Sequence, residues 1–124
     1  MIVVDAMNVR GSVPDGWWRD KDGALRRLVD AVAAHDWGGE WVIVVADGRA
    51  VDGLPAGTRG EIEVRYAGHS GPNAADDLIV EIVRTEHHDE DTITVATSDR
   101  GLIERLPAGV TVLGARTFRD RVAW

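Results

Sequence analysis

Cysteine is absent from this 124-residue chain, which excludes disulfides, thiolate metal ligands and a cysteine nucleophile. The absence fits a reducing, intracellular location. Lysine is almost absent as well: Lys21 is the only one among 14 basic residues, and the rest are arginine. The formal charge of -7 argues against broad non-specific binding to nucleic acid, which rests on many cations neutralising phosphates. Any contact with a polyanion must be local, and arginine suits bidentate contacts of that kind. Neither a basic leader nor a long apolar run is visible, so the sequence shows no signal peptide or membrane span and reads as cytoplasmic. Repeats and low-complexity tracts are also missing.

What is present is the composition of a soluble globular protein, 44% hydrophobic and 28% charged, at a length that suits one domain over residues 1–124. Four β-branched apolar runs stand out, at 2–4, 41–45, 92–95 and 110–113. Their residues do not alternate with polar ones, the pattern of strands buried on both faces of a parallel sheet. A fifth run, Glu61 to Tyr66, does alternate and is expected near a sheet edge. Helical stripes lie between these runs. Leu25, Leu28, Val29 and Val32 follow Asp22 as an N-cap and stop before Gly38-Gly39. Leu78, Ile79, Ile82 and Val83 form a second stripe, and shorter helices are expected over 99–106 and 115–122. The order predicts an α/β fold, a three-layer α/β/α sandwich around a mainly parallel sheet of about five strands. Two glycine-rich segments, 9–20 and 48–60, are expected to be loops.

Three of the strand-like runs end in aspartate: Ile2-Val3-Val4-Asp5, Val44-Val45-Ala46-Asp47 and Ala96-Thr97-Ser98-Asp99. Any one of these has a simple structural explanation as a turn or helix cap. Parallel strands, however, bring their C-terminal ends to one edge, where open α/β proteins bind ligands. Carboxylates gathered there repel and raise one another's pKa unless a cation neutralises them.

A fourth carboxylate comes from Gly71-Pro72-Asn73-Ala74-Ala75-Asp76-Asp77. With Asn73 as N-cap, Asp76 stands at the third helical position, where it can close a capping box and face the positive end of the helix dipole. At about 100° per residue, Asp76 flanks the apolar stripe and can lean to the sheet edge. Asp77 lies nearly opposite and is expected to face water near Glu81 and Arg84. A pocket of three or four carboxylates without histidine or cysteine suits Mg²⁺ or Mn²⁺, which support phosphodiester hydrolysis.

Other acidic α/β sites lack required residues here. Asp5 has no second aspartate two positions on, as an aspartyl phosphatase needs. Lys21 is not near a late strand, as a receiver domain needs, and Gly11 is not part of a G-x-G-x-x-G loop.

Taken in order, Asp5-Ala6-Met7-Asn8, Val45-Ala46-Asp47, Ala75-Asp76-Asp77-Leu78-Ile79, Ala96-Thr97-Ser98-Asp99-Arg100, then Gly114-Ala115 and Phe118, resemble the NYN domains of the PIN-like nuclease superfamily, and within it the YacP-like bacterial endoribonucleases. The resemblance runs from Met1 to the last helix. It implies a PIN-like fold and metal-dependent cleavage of RNA. Asp5, Asp76 and Asp99 would be the catalytic carboxylates and, with Asp47, the metal ligands. Asn8 would be the polar partner of the first aspartate and Ser98 a group near metal or phosphate. The chain departs from the family at Ala6, where glycine is usual, and at Asp77, where glutamate is frequent.

Arg10, Arg49 and Arg100 each closely follow a strand-end acidic motif and are read, with Asn8 and Ser98, as candidates to hold substrate. Trp17 and Trp18 are read first as packing residues and second as stacking platforms for an unpaired base. His69 stands before the acidic helix, while His35, His87 and His88 lie at helix ends. The run 86–91 reads as a solvated turn. The function expected is a Mg²⁺- or Mn²⁺-dependent endoribonuclease acting on RNA, single-stranded and in some settings ribosome-associated, with no membrane partner. The alternative is a non-catalytic RNA- or ribosome-associated binding module on the same fold.

Overall fold

Valine and isoleucine fill most of β1 (Ile2–Asp5) and β2 (Val42–Ala46), and every residue of both strands is buried. Alternate side chains enter different cores. Ile2, Val4, Val42 and Val44 point to one layer, and Val3, Ile43 and Val45 to the other. Helices must therefore cover both faces of the sheet, and they do. The computed structural model, which describes residues 1–14, 16–86 and 92–124, places α1 (Ala6–Gly11), α2 (Lys21–Ala34) and α5 (Ala115–Arg121) on one face. It places α3 (Ala74–Thr85) and α4 (Arg100–Arg105) on the other. The expected three-layer α/β/α arrangement is the one observed.

Among the described residues the sheet has six strands rather than about five. Their order is β3-β4-β2-β1-β5-β6, with β3 (Gly57–Arg59), β4 (Ile62–Tyr66), β5 (Thr94–Ala96) and β6 (Thr111–Leu113). All neighbours are parallel except β3, which pairs antiparallel to β4. This extra strand lies inside the second glycine-rich segment. Its three residues, Gly-Thr-Arg, carry no apolar pattern, and the main-chain ladder to β4 holds them in place. It also moves β4 one place in from the edge.

Three further expectations are corrected. The first glycine-rich segment begins as helix: α1 follows β1 without a loop and ends at Gly11, and a 3₁₀ turn covers Trp17–Arg19. The N-cap of α2 is Asp20 rather than Asp22, its carboxylate accepting the Gly23 N–H at 3.0 Å. Finally, β6 is not buried on both faces. It is the far edge strand, paired only with β5, and Val112 remains 38% exposed.

The strand order reverses at β1. The chain passes from β1 through α2 to β2 on one side, and later from β4 through α3 to β5 on the other. A crevice at the C-terminal ends of β1 and β5 is the topological switch point, the usual ligand position in this architecture. Among the described residues, no helix is long and apolar enough to cross a membrane. His87, His88 and most of the acidic run 86–91 lie outside the described residues.

Candidate metal centre

Asp5 ends β1 and caps α1, and its side chain is 2% exposed. One carboxylate oxygen accepts the Asn8 N–H at 3.4 Å and the other accepts the Thr97 hydroxyl at 2.8 Å. Burial pushes the Asp5 pKa up to about 6, and the nearby charges of Asp76 and Asp99 add to this, against the two hydrogen bonds. Water removed from a charged carboxylate is only partly replaced by those donors.

Thr97 has no conspicuous mark in the sequence. It is fully buried, donates to Asp5, and accepts the Asp99 N–H at 3.1 Å, so one hydroxyl joins the first and last aspartates of the site. Ser98 and Asp99 stand out in the sequence as polar residues at a strand end. Thr97 is equally compatible with an ordinary β-branched strand residue, so its type alone carried no signal.

Asp99 caps α4, one of its oxygens accepting the N–H groups of Gly101 at 2.9 Å and Leu102 at 3.3 Å. Its other oxygen has no protein donor among the described residues. Asp76 comes from the first turn of α3. Asn73 occupies the N-cap position there, but in the left-handed region at φ 65°, and its side chain makes no capping bond. The expected capping box does not form for that reason. Asp76 has no hydrogen-bond donor among the described residues, and burial, then the charge of Asp99, raises its pKa, with Arg105 opposing. Asp77 is exposed on the face of α3 that carries Glu81 and Arg84, as expected, and it pairs with Arg105 of α4 at 2.7 Å.

One carboxylate oxygen from each of Asp5, Asp76 and Asp99 lies within 4.8 Å of the other two. These three open onto a cleft of about 300 Å³ that Asn8 and Asp47 also line. The donor set is all oxygen and carries no lysine or arginine, and burial, with the neighbouring carboxylate charges adding to it, raises the pKa of Asp5 and Asp76. A hard divalent cation fits such a set, because it supplies the missing positive charge and takes oxygen ligands with retained waters.

The remaining candidate residues divide between this cleft and its surroundings. Asp47 stands in the wall but outside the group of three. It is carried by the turn after β2, where Gly48 at φ 69° donates to the His69 carbonyl and accepts from Gly68, tying the turns after β2 and β4 together. A side chain at Gly48 would be strained in that conformation. The Asn8 side-chain oxygen accepts the Ser98 N–H at 2.7 Å, fixing α1 against the β5–α4 turn. The Ser98 hydroxyl oxygen accepts the Ala115 N–H at 2.8 Å, so it caps α5. Arg100 is exposed beside Asp99 at the start of α4, and the His69 side chain is exposed.

Arg10 does not overhang this cleft. It is 9% exposed, lies 4.8 Å over the ring of Trp17, and donates to the Lys21 carbonyl at 3.2 Å. With Arg49 it lines a separate neighbouring cavity of about 380 Å³. Trp17 thus packs beneath Arg10, whereas Trp18 is 56% exposed.

The chain matches the family model of the YacP-like NYN domain over residues 2–123. Among solved structures it is similar to Rae1 (YacP) from Bacillus subtilis, with 24% identity over 99% of this chain and 73% of that chain and a TM-score of 0.72. A single-substitution mutant of the same Bacillus protein gives a TM-score of 0.73 at 24% identity, covering 98% of this chain and 74% of that one. At that identity the structural likeness establishes the fold. Comparison with curated protein sequences gives no match.

Proposed function

The chain belongs to the YacP-like NYN domain family, and from that membership we propose that residues 1–124 form one domain that acts as a metal-dependent endoribonuclease. The observation that carries the proposal is the convergence of Asp5, Asp76 and Asp99, from three separate elements, at the switch point of the sheet. Asp5, Asp76 and Asp99 would hold Mg²⁺ or Mn²⁺, with Asp47 assisting from the wall of the cleft. A cation of this kind activates a phosphoryl oxygen and water for hydrolysis.

The chain's own groups do the positioning. Thr97 and the Asn8 N–H hold the Asp5 carboxylate in one orientation, and the α4 cap holds Asp99. Asn8 keeps its side-chain N–H₂ for a phosphate or ribose oxygen. Arg49 and Arg100, both exposed and close in sequence to Asp47 and Asp99, would offer their charge to phosphates of the substrate, and Ser98 orders the turn between Asn8 and α5. Arg10 serves substrate from the neighbouring cavity. An acidic cleft with so few cations favours single-stranded RNA, including RNA presented on a ribosome, over a duplex, whose two backbones need a broader basic surface.

The test is cleavage of single-stranded RNA by the purified protein with Mn²⁺ or Mg²⁺. Asp5→Asn and Asp76→Asn are each expected to lower the rate by a hundredfold or more. Absence of cleavage together with absence of carboxylate-dependent metal binding in calorimetry would reject the nuclease and favour a non-catalytic RNA-binding module.

A further inference from the structure

The cavity beside the carboxylate cleft has a composition that neither a metal nor a bare phosphate matches. It lies between α1, the first turn of α2 and the turn after β2, and it shares Met7 and Asp47 with the cleft. Met7, Leu25 and Val51 give it apolar walls. Arg10, Arg49 and Lys21 bring three cationic residues to it, which repel a metal ion, and Asp22 adds a second carboxylate to that of Asp47, two acceptors that would face a phosphate unfavourably and call for a ligand that also donates. Both carboxylates are close enough to Arg10 to help keep it charged in spite of its burial. The Arg10 side chain is fixed from behind by the Trp17 ring and by the Lys21 carbonyl, so its guanidinium is held in place before any ligand arrives.

A flat group with an apolar face and an edge carrying both acceptors and donors satisfies all of these walls. Nucleobases are such groups, and unstacked bases in single-stranded RNA are read on these edges. Guanine matches best. Its O6 and N7 accept a guanidinium pair, and its N1–H and amino group can donate together to one carboxylate. Adenine and uracil have neither of these adjacent pairs, and cytosine has an acceptor pair but no donor pair. The volume lies within the range of ordinary small-ligand sites.

We propose that this second cavity receives an unstacked guanine base of the RNA, next to the phosphodiester presented to the carboxylate cluster, with Asp22 as the base-reading carboxylate. The proposal rests on the nuclease reading for the identity of its polymer, but the pocket can be tested without catalysis. Amide chemical shifts of Met7 and Val51 would be followed by NMR while GMP, AMP, CMP or UMP is added in EDTA, for the native chain and for Asp22→Asn. Asp22 is exposed and is not the N-cap, so the variant is expected to fold.

The expected result is binding of GMP at least tenfold tighter than the other three, with that preference lost in Asp22→Asn. Equal binding of all four nucleotides, equal binding of inorganic phosphate, no binding, or a GMP preference that survives Asp22→Asn would each overturn the proposal. Mn²⁺ calorimetry and RNA cleavage by the native chain report separately on the carboxylate cluster, so loss of one reading is not mistaken for loss of the other.

Discussion

Asp5 shows how much of a site can rest on one buried carboxylate. Its pKa of about 6 in the folded chain lies above the ordinary value of 3.8, so the folded state holds the proton more tightly than the unfolded state between those two values. Stability without metal should be highest below about pH 4 as far as this group is concerned, and should fall as pH rises through about 6. The raised pKa corresponds to roughly 3 kcal/mol. Asp5→Asn, whose amide oxygen can still accept the Asn8 N–H while its N–H₂ turns to the Thr97 hydroxyl oxygen, is therefore expected to raise the apo-protein's stability at pH 8 by about 1–3 kcal/mol and to flatten its dependence on pH between 4 and 7. Thr97→Val should act in the opposite direction, costing about 1–3 kcal/mol because it removes a buried carboxylate's donor. Denaturant unfolding across pH without divalent cations checks both, and an Asp5→Asn protein less stable than the native chain at pH 8 would contradict the account. At this scale the strand-end aspartates were legible because charge at the end of an apolar run is conspicuous. Thr97 was not, because only the fold reveals that its hydroxyl joins Asp5 to Asp99.

At the scale of elements, the long runs were readable and the short ones were not. β1, β2 and α3 announce themselves by continuous apolar burial or by a stripe at helical spacing. By contrast, α1 has six residues and β3 three, too few for a period to develop, and both are stabilised by what they pack or pair against. The start of α2 shows how a cap can be misplaced by two residues when Asp20 and Asp22 both suit the role. Gly23 supplies the decisive detail: a Cβ there would meet the Asp20 carboxylate oxygen at 2.1 Å, so only glycine leaves the cap intact. Replacing glycine by alanine in a helix ordinarily gains up to about 1 kcal/mol. Losing an aspartate cap costs about 1 kcal/mol. Gly23→Ala is therefore expected to be nearly neutral in the native chain, yet to stabilise an Asp20→Ala background by about 1 kcal/mol. A double-mutant cycle in thermal unfolding measures the coupling, and additive effects would show that Asp20 does not form the cap in solution.

For the whole molecule, the sheet order determines where chemistry can occur. Parallel strands could be expected from buried runs, but the order β4-β2-β1-β5, which opens the crevice beside β1, depends on which helix crosses which face. No local pattern in the sequence carries that information, and the aspartates could be gathered in advance only by assuming a common edge. Charge sets a second global constraint. A chain of net charge -7 that binds RNA must do so through very few cations around an acidic centre. Each phosphate neutralised on a single strand contributes about -0.7 to the slope of log affinity against log salt, so phosphate contacts from Arg49 and Arg100, with Arg10 turned to a base, predict a slope of only about -1.4. The measurement is fluorescence anisotropy of a short single-stranded RNA on the Asp76→Asn variant, at fixed Mg²⁺ and increasing KCl. Arg100→Ala should flatten the slope by about 0.7. A slope steeper than about -4 would require a basic surface that these arginines do not form, and it would move the RNA path away from the carboxylate cleft.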